Sequence, residues 1–120
     1  MPNIDYELNK KIHAIIINPY LTWEDFRMNC DLIKKYNIKN ISTSLNYLYD
    51  FKNSLGNYSA NINVLISYPL ADLPVKFIEE LVCFAKDNGA TGIEYIPNFI
   101  NLSKRNFIRL FNYCCSINHI

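Results

Sequence analysis

Few residues in this chain combine a reactive group with a setting that would tune it, and Glu94 is the first of them. It stands between Ile93 and Tyr95 inside an apolar, strand-like run, where a carboxylate loses part of its hydration and must be held by a hydrogen-bonding partner. A carboxylate in that position can relay protons. The other candidates are polar residues at the carboxyl ends of β-branched runs: Asn18 after the first, Ser42 and Ser44 on the second, and Ser67 at the end of the third. In parallel α/β folds ligands gather at those ends, because helix N-termini point amides there and the loops vary without disturbing the core.

Other chemistries lack their signatures. The cysteines, Cys30, Cys83, Cys114 and Cys115, have no paired metal-ligand spacing and sit in helix-period patterns, where a thiol behaves as a small hydrophobe. No metal site and no cofactor is expected. Gly56, Gly89 and Gly92 are the only glycines, too few for a dinucleotide fingerprint or a phosphate-cradling loop. Neither a Gly-x-Ser-x-Gly elbow nor a His-Glu-x-x-His helix occurs.

The elements that must position these residues alternate in kind. Short β-branched runs at Lys11 to Ile17, Asn40 to Leu45, Ile62 to Tyr68 and Gly92 to Ile96 are separated by longer amphipathic stretches. This is the pattern of βα units around a parallel sheet, and no Asn-Gly or Asp-Gly turn joins two runs into a hairpin. Thr22 is expected to cap a first long helix that buries Phe26, Cys30 and Ile33. Tyr47, Leu48, Phe51 and Leu55 mark a second, ending near Gly56. Asp72 is expected to cap a third, with Pro74 in its first turn, Val75, Ile78, Val82 and Ala85 as its stripe, and Gly89 closing it. A fourth follows Ser103 with Phe107, Leu110 or Phe111, and Cys114 inward, and a short leading helix is expected within Ile4 to Lys10.

The 120 residues form one expected domain, 1–120, and half of them are hydrophobic, enough for a core without disulfides or metals. Twelve basic and eleven acidic side chains nearly cancel, so no strong field draws the chain to nucleic acid or an anionic membrane. The tyrosines and phenylalanines fall on helix and strand periods and read as core. Ile15-Ile16-Ile17 is far too short to cross a bilayer. The expectation is a soluble protein of a reducing compartment. Its Asn, Ile, Lys and Tyr content fits an AT-rich genome and hence a plastid or the cytoplasm.

Four segments, in order, resemble deoxyribose-phosphate aldolases. Asn18-Pro19-Tyr20-Leu21-Thr22-Trp23-Glu24-Asp25-Phe26 is similar to the loop and helix after that family's first strand, and Asn40-Ile41-Ser42-Thr43-Ser44-Leu45-Asn46-Tyr47-Leu48 to its second strand and helix start. Val64-Leu65-Ile66-Ser67-Tyr68-Pro69-Leu70-Ala71 resembles the third strand with its Gly-Phe-Pro-x-Gly loop. Asp87-Asn88-Gly89-Ala90-Thr91-Gly92-Ile93-Glu94-Tyr95-Ile96-Pro97-Asn98 resembles the Gly-Ala-x-Glu-x-Asp entry to the fourth. The resemblance implies an α/β fold of four consecutive βα units, half of a (β/α)8 barrel. The alternative is a small open parallel sheet with helices on both faces and Ile15 to Ile17 at its centre.

The family's chemistry uses a Schiff-base lysine, a nucleophile that must be partly neutral. By the resemblance that lysine belongs to a sixth strand, beyond the four units seen here, and so do the phosphate-binding loops. Glu94 would replace the family's proton-relaying aspartate, Ser42 stands where cysteine is common, and His13-Ala14-Ile15 replaces Asp-His-Thr. The expectation is therefore a catalytically inactive relative that binds a small phosphorylated ligand or another protein. The alternatives are a lyase completed by dimerisation or a partner chain, and an interaction module. Half a barrel also leaves open strand edges and an apolar lining; exposing roughly 400 Å² would forgo on the order of 10 kcal/mol, comparable with a whole domain's stability. A homodimer or a partner chain covering the open edge is the expected remedy.

Overall fold

In a computed structural model, residues 6–97 are described, and they form one four-stranded parallel sheet in the order β1-β2-β3-β4. The strands are β1 (His13–Ile16), β2 (Asn40–Ser44), β3 (Asn61–Ile66) and β4 (Gly92–Tyr95). The helices are α1 (Tyr6–Asn9), α2 (Trp23–Lys35), α3 (Leu48–Leu55, entered through a 3-10 turn at Leu45–Tyr47) and α4 (Val75–Asp87). The helix expected after Ser103 lies outside the described residues.

Each helix forms where its sequence permits. Thr22 Oγ1 accepts from the Asp25 amide at 3.1 Å, while Glu24 and Asp25 sit at the positive end of α2 and Lys34 and Lys35 at its negative end. Phe26, Cys30 and Ile33 are its buried residues, as their spacing requires. α3 buries Leu48, Phe51 and Leu55 and stops at Gly56, whose φ of 56° lies in the region that glycine enters without strain. α4 buries Ile78, Val82 and Ala85. Its cap is Pro74 and not Asp72, and Val75 is only partly buried. The proline's fixed φ, here −59°, makes the turn into the helix without a side-chain hydrogen bond.

All three long helices lie on one face of the sheet. Ile41 of β2, Ile62, Val64 and Ile66 of β3, and the buried residues of α2, α3 and α4 form a single apolar cluster. Phe26 sits at its centre, 4.6 Å from the Phe51 ring, and stacks on Trp23 at 5.5 Å. Helices on one face are what half of a barrel requires. They exclude, for the described residues, the sheet covered on both faces, and β1 takes an edge instead of the central place that Ile15 to Ile17 suggested.

The leading helix is tied to the amino-terminal end of the sheet. Asn40 donates to the Lys10 carbonyl at 2.7 Å, and the Asn9 amide donates to the Tyr36 carbonyl. At the same end the Thr91 amide donates to the Ile62 carbonyl at 2.8 Å and the Thr91 hydroxyl accepts from the Ile62 amide at 3.1 Å, fixing where β4 joins β3. The opposite, carboxyl end is left to the loops that follow each strand. Among the described residues no helix is long and apolar enough to cross a membrane.

Candidate functional site

Strand register decides which side chains share the open face. Ile15, Ser42, Asn63 and Gly92 are partners across the four strands, and two residues further on Ser44, Leu65 and Glu94 are partners. Because side chains alternate along a strand, these two rows point away from the helices. Glu94 therefore shares its face with Gly92, as strand alternation predicts. The face is more polar than an apolar barrel lining: Ser42, Asn63 and Glu94 hold its middle, Asn40 and Asn61 its amino end, and Ile15, Ile17 and Leu65 supply the apolar part. The cost of leaving it open is correspondingly below the sequence expectation.

Glu94 is held as a partly desolvated carboxylate should be. Its Oε1 accepts from the buried Ser42 hydroxyl at 2.5 Å and from the Asn63 amide at 3.4 Å. Both donors reach the same oxygen. Oε2 has no donor among the described residues, and Glu94 lines a cavity of ≈ 430 Å³ together with Ile15, Ile17, Leu65, Tyr68 and Ile96. A second cavity of ≈ 470 Å³ shares Ile17, Leu65 and Tyr68 with the first and extends to Asn18 and Ser44. The two form one depression at the carboxyl end of the sheet.

Four of the five residues singled out in the sequence thus converge. Glu94, Asn18 and Ser44 line the depression and Ser42 anchors the carboxylate. The Asn18 side chain is partly committed, since its Oδ1 accepts from the Tyr20 amide at 2.9 Å, while Tyr47 donates to the Asn18 carbonyl at 2.6 Å and pins the loop to the start of the next helix. Ser67 does not join them. It sits at φ 64°, its carbonyl accepting from the Ala71 amide at 2.8 Å, so its work is to turn the chain after β3. Ala71 closes that loop at φ 52°. Positive φ thus falls on both ends of the Ser67-Tyr68-Pro69-Leu70-Ala71 segment, the two positions where the resembling loop carries glycine.

Asn63, which donates to Glu94, and Tyr68, which lines both cavities, join the candidate site although the sequence reading did not single them out. Asn63 was legible in principle, because Asn61-Ile62-Asn63-Val64 alternates polar with apolar. Tyr68 was not, since its place depends on how the following loop folds back.

Among the described residues, neither cavity has a Lys or Arg in its wall, and no three His, Cys, Asp or Glu side chains gather to hold a metal ion. The depression offers a carboxylate oxygen, hydroxyls and an apolar floor. Such a surface accepts hydrogen bonds from a hydroxylated ligand and can move a proton at Oε2.

No family model matches the chain. In sequence it is similar to the deoxyribose-phosphate aldolase of Finegoldia magna, 28% identical over 101 residues that cover 84% of this chain and 47% of that protein. In structure it is similar to a Coccidioides immitis protein assigned as a deoxyribose-phosphate aldolase, with a TM-score of 0.77 at 15% identity over 97% of this chain and 46% of that one. It is also similar to the deoxyribose phosphate aldolase of Aeropyrum pernix, a tetramer, with a TM-score of 0.76 at 18% identity over 94% and 50%. At those identities the structures speak for the fold. The open sheet with its helices on one face matches half of the fold of such aldolases, and the chain, similar to deoxyribose-phosphate aldolases, spans about half the length of those it matches.

Proposed function

We propose that this chain is a ligand-binding half-barrel of aldolase descent, catalytically inactive on its own, in which Glu94 positions a small hydroxylated ligand. The observation that carries the reading is the Glu94 carboxylate, tethered through one oxygen by Ser42 and Asn63 and placed in a cavity wall. An anchored acceptor fixes the direction of a ligand hydroxyl at little entropic cost. The relatives' name offers a phosphorylated sugar as the ligand class. With no cation in either cavity wall, these residues would hold the sugar's hydroxyls and leave its phosphate to other parts of the assembly.

The same composition of the described walls supports the inactive reading. Aldol cleavage through a Schiff base needs a partly neutral lysine beside the reacting carbonyl, and the cavity walls contain none. The test is reductive trapping: the chain is incubated with deoxyribose phosphate or a simple aldehyde, reduced with borohydride, and examined by mass spectrometry. No adduct on any lysine is expected. An adduct would overturn the inactive reading in favour of a lyase, the second reading, which the placement of Glu94 as a proton relay favours once a second copy or a partner chain supplies the lysine. Binding itself is tested by calorimetry with deoxyribose phosphate, where Glu94→Gln should weaken affinity about tenfold while leaving the fold intact. A variant that loses stability but keeps affinity would make Glu94 a structural group. The buried Cys30, which forms no disulfide, suits a reducing compartment, and we read that as plastid or cytoplasm.

A further inference from the structure

We propose that the outer edge of β1, with the groove between β1 and α2, is the docking site for a second copy of this chain, whose β4 pairs in parallel with β1 and closes an eight-stranded barrel. β1 has no strand partner on its outer side among the described residues, and neither has β4. A free parallel edge of this kind is a template for another strand.

What distinguishes the β1 edge is that it is apolar on both faces. On the open face Ile15 is 65% exposed. On the helix face lies a groove of ≈ 430 Å³ walled mainly by Ile12, Ala14, Ile16, Leu32, Ile33 and Ile38, with no charged residue in its lining among the described residues. A strand alone would pair with β1 and leave that groove empty. A helix alone would fill the groove and leave the edge unpaired. The shape calls for a strand followed by a helix on the outer face, which is one βα unit.

The chain contains such units, but β2 and β3 are already paired on both sides, and β1 against β1 about a twofold axis cannot both run parallel and keep the helices on one face, so among the described strands β4 is the one that suits. Right-handed connection places the helix after a parallel strand over that strand and its next neighbour. With the second copy's β4 beside β1, a right-handed connection out of that strand is directed over the β1–α2 groove. The operation repeated about a twofold axis joins the remaining two edges and makes an eight-stranded closure, whose two interfaces are identical. The matched structures, of which this chain covers about half, show that a fold of this kind continues into a chain twice as long. Closure also changes the depression beside Glu94, because the second copy's β4 becomes the wall next to Ile15 and Ile17 and brings its own Glu94 to the same lumen.

Sedimentation equilibrium of the full chain at micromolar concentration tests this. A species of twice the 14.1 kDa chain mass is expected. Leu32→Glu, at a position 42% exposed in the groove, should raise the dissociation constant about thirtyfold or more, with the circular dichroism of the monomer retained. Ile12→Lys repeats the test at the other wall should the first variant fold poorly. Tyr49→Glu, 68% exposed between α3 and α4, should leave the dimer as it was. A wild-type monomer, an open-ended oligomer, or a dimer indifferent to both groove substitutions would overturn the proposal. Calorimetry reads ligand binding at Glu94 separately, so failure of the dimer and failure of that binding are distinguishable.

Discussion

The two faces of this sheet are written by alternate residues of the same strands and obey different rules. In β3, Ile62, Val64 and Ile66 are buried under the helices while Asn61, Asn63 and Leu65 turn the other way. The helix face is a continuous apolar layer whose every buried member meets another. The open face mixes an acid, amides and hydroxyls with isolated apolar side chains, and its polar groups satisfy one another across strands instead of across layers. The contrast teaches that the face holding the fold together and the face proposed to bind a ligand are separated by a periodicity of two.

The largest effect should come from the helix face. Phe51 is fully buried and meets the Phe26 ring at 4.6 Å, so Phe51→Ala leaves a cavity in the middle of the layer and should cost about 3–5 kcal/mol by urea denaturation. Asn63→Ala, on the opposite face, should cost less than about 1 kcal/mol because a single 3.4 Å hydrogen bond is lost. Comparable losses from the two would erase the proposed division of labour.

That division also explains how much could be read in advance. The buried residues of α2 and α3 and the Thr22 cap follow from local spacing, so the strand–helix order and the layer of helices were legible. The contact between Ser42 and Glu94 was not, because it joins strands 52 residues apart and needs the register of the strand between them. Only the candidacy of each residue was visible. The cap of α4 was misread for a local reason: Asp72 and Pro74 are both good helix-start residues, and the proline's fixed φ decided between them.

Ser42→Ala sharpens the comparison at the site. It strips the buried hydroxyl from Glu94 and leaves Oε1 only the longer Asn63 contact, so about 1–2 kcal/mol of stability should be lost. Ser42→Thr, which keeps the hydroxyl, should restore most of it if its methyl is accommodated. A neutral Ser42→Ala would mean that water replaces the serine and that the carboxylate is not positioned by it.

The loop after β3 should respond in the opposite direction. Ala71 holds φ 52° with a Cβ that disfavours that region, and Ala71→Gly exchanges this strain for a smaller loss of backbone entropy. A gain of about 0.5–1 kcal/mol is expected, and Ser67→Gly should act alike at φ 64°. Destabilisation by both would mean that the loop's side chains hold the edge of the depression more firmly than the backbone strains it.

The smallest effect belongs to Cys30, the one thiol in the described helix layer that burial protects. Burial pushes its pKa above the ordinary thiol value, outweighing the favourable influence of Lys34 and the hydrogen bond with Ser54. The unfolded chain therefore releases this proton first as pH rises. Its contribution to stability is complete below the unfolded thiol value of about 8.5 and declines as pH climbs from there toward the folded value. Tyr58, whose pKa burial also raises, adds a similar loss at higher pH, above the ordinary phenol range. Urea midpoints measured from neutral pH to just below the phenol range should thus fall with pH in the wild type and fall less steeply in Cys30→Ala, even though that variant is less stable throughout. Parallel slopes would show that water reaches the thiol, and with it the layer that the open face is contrasted against.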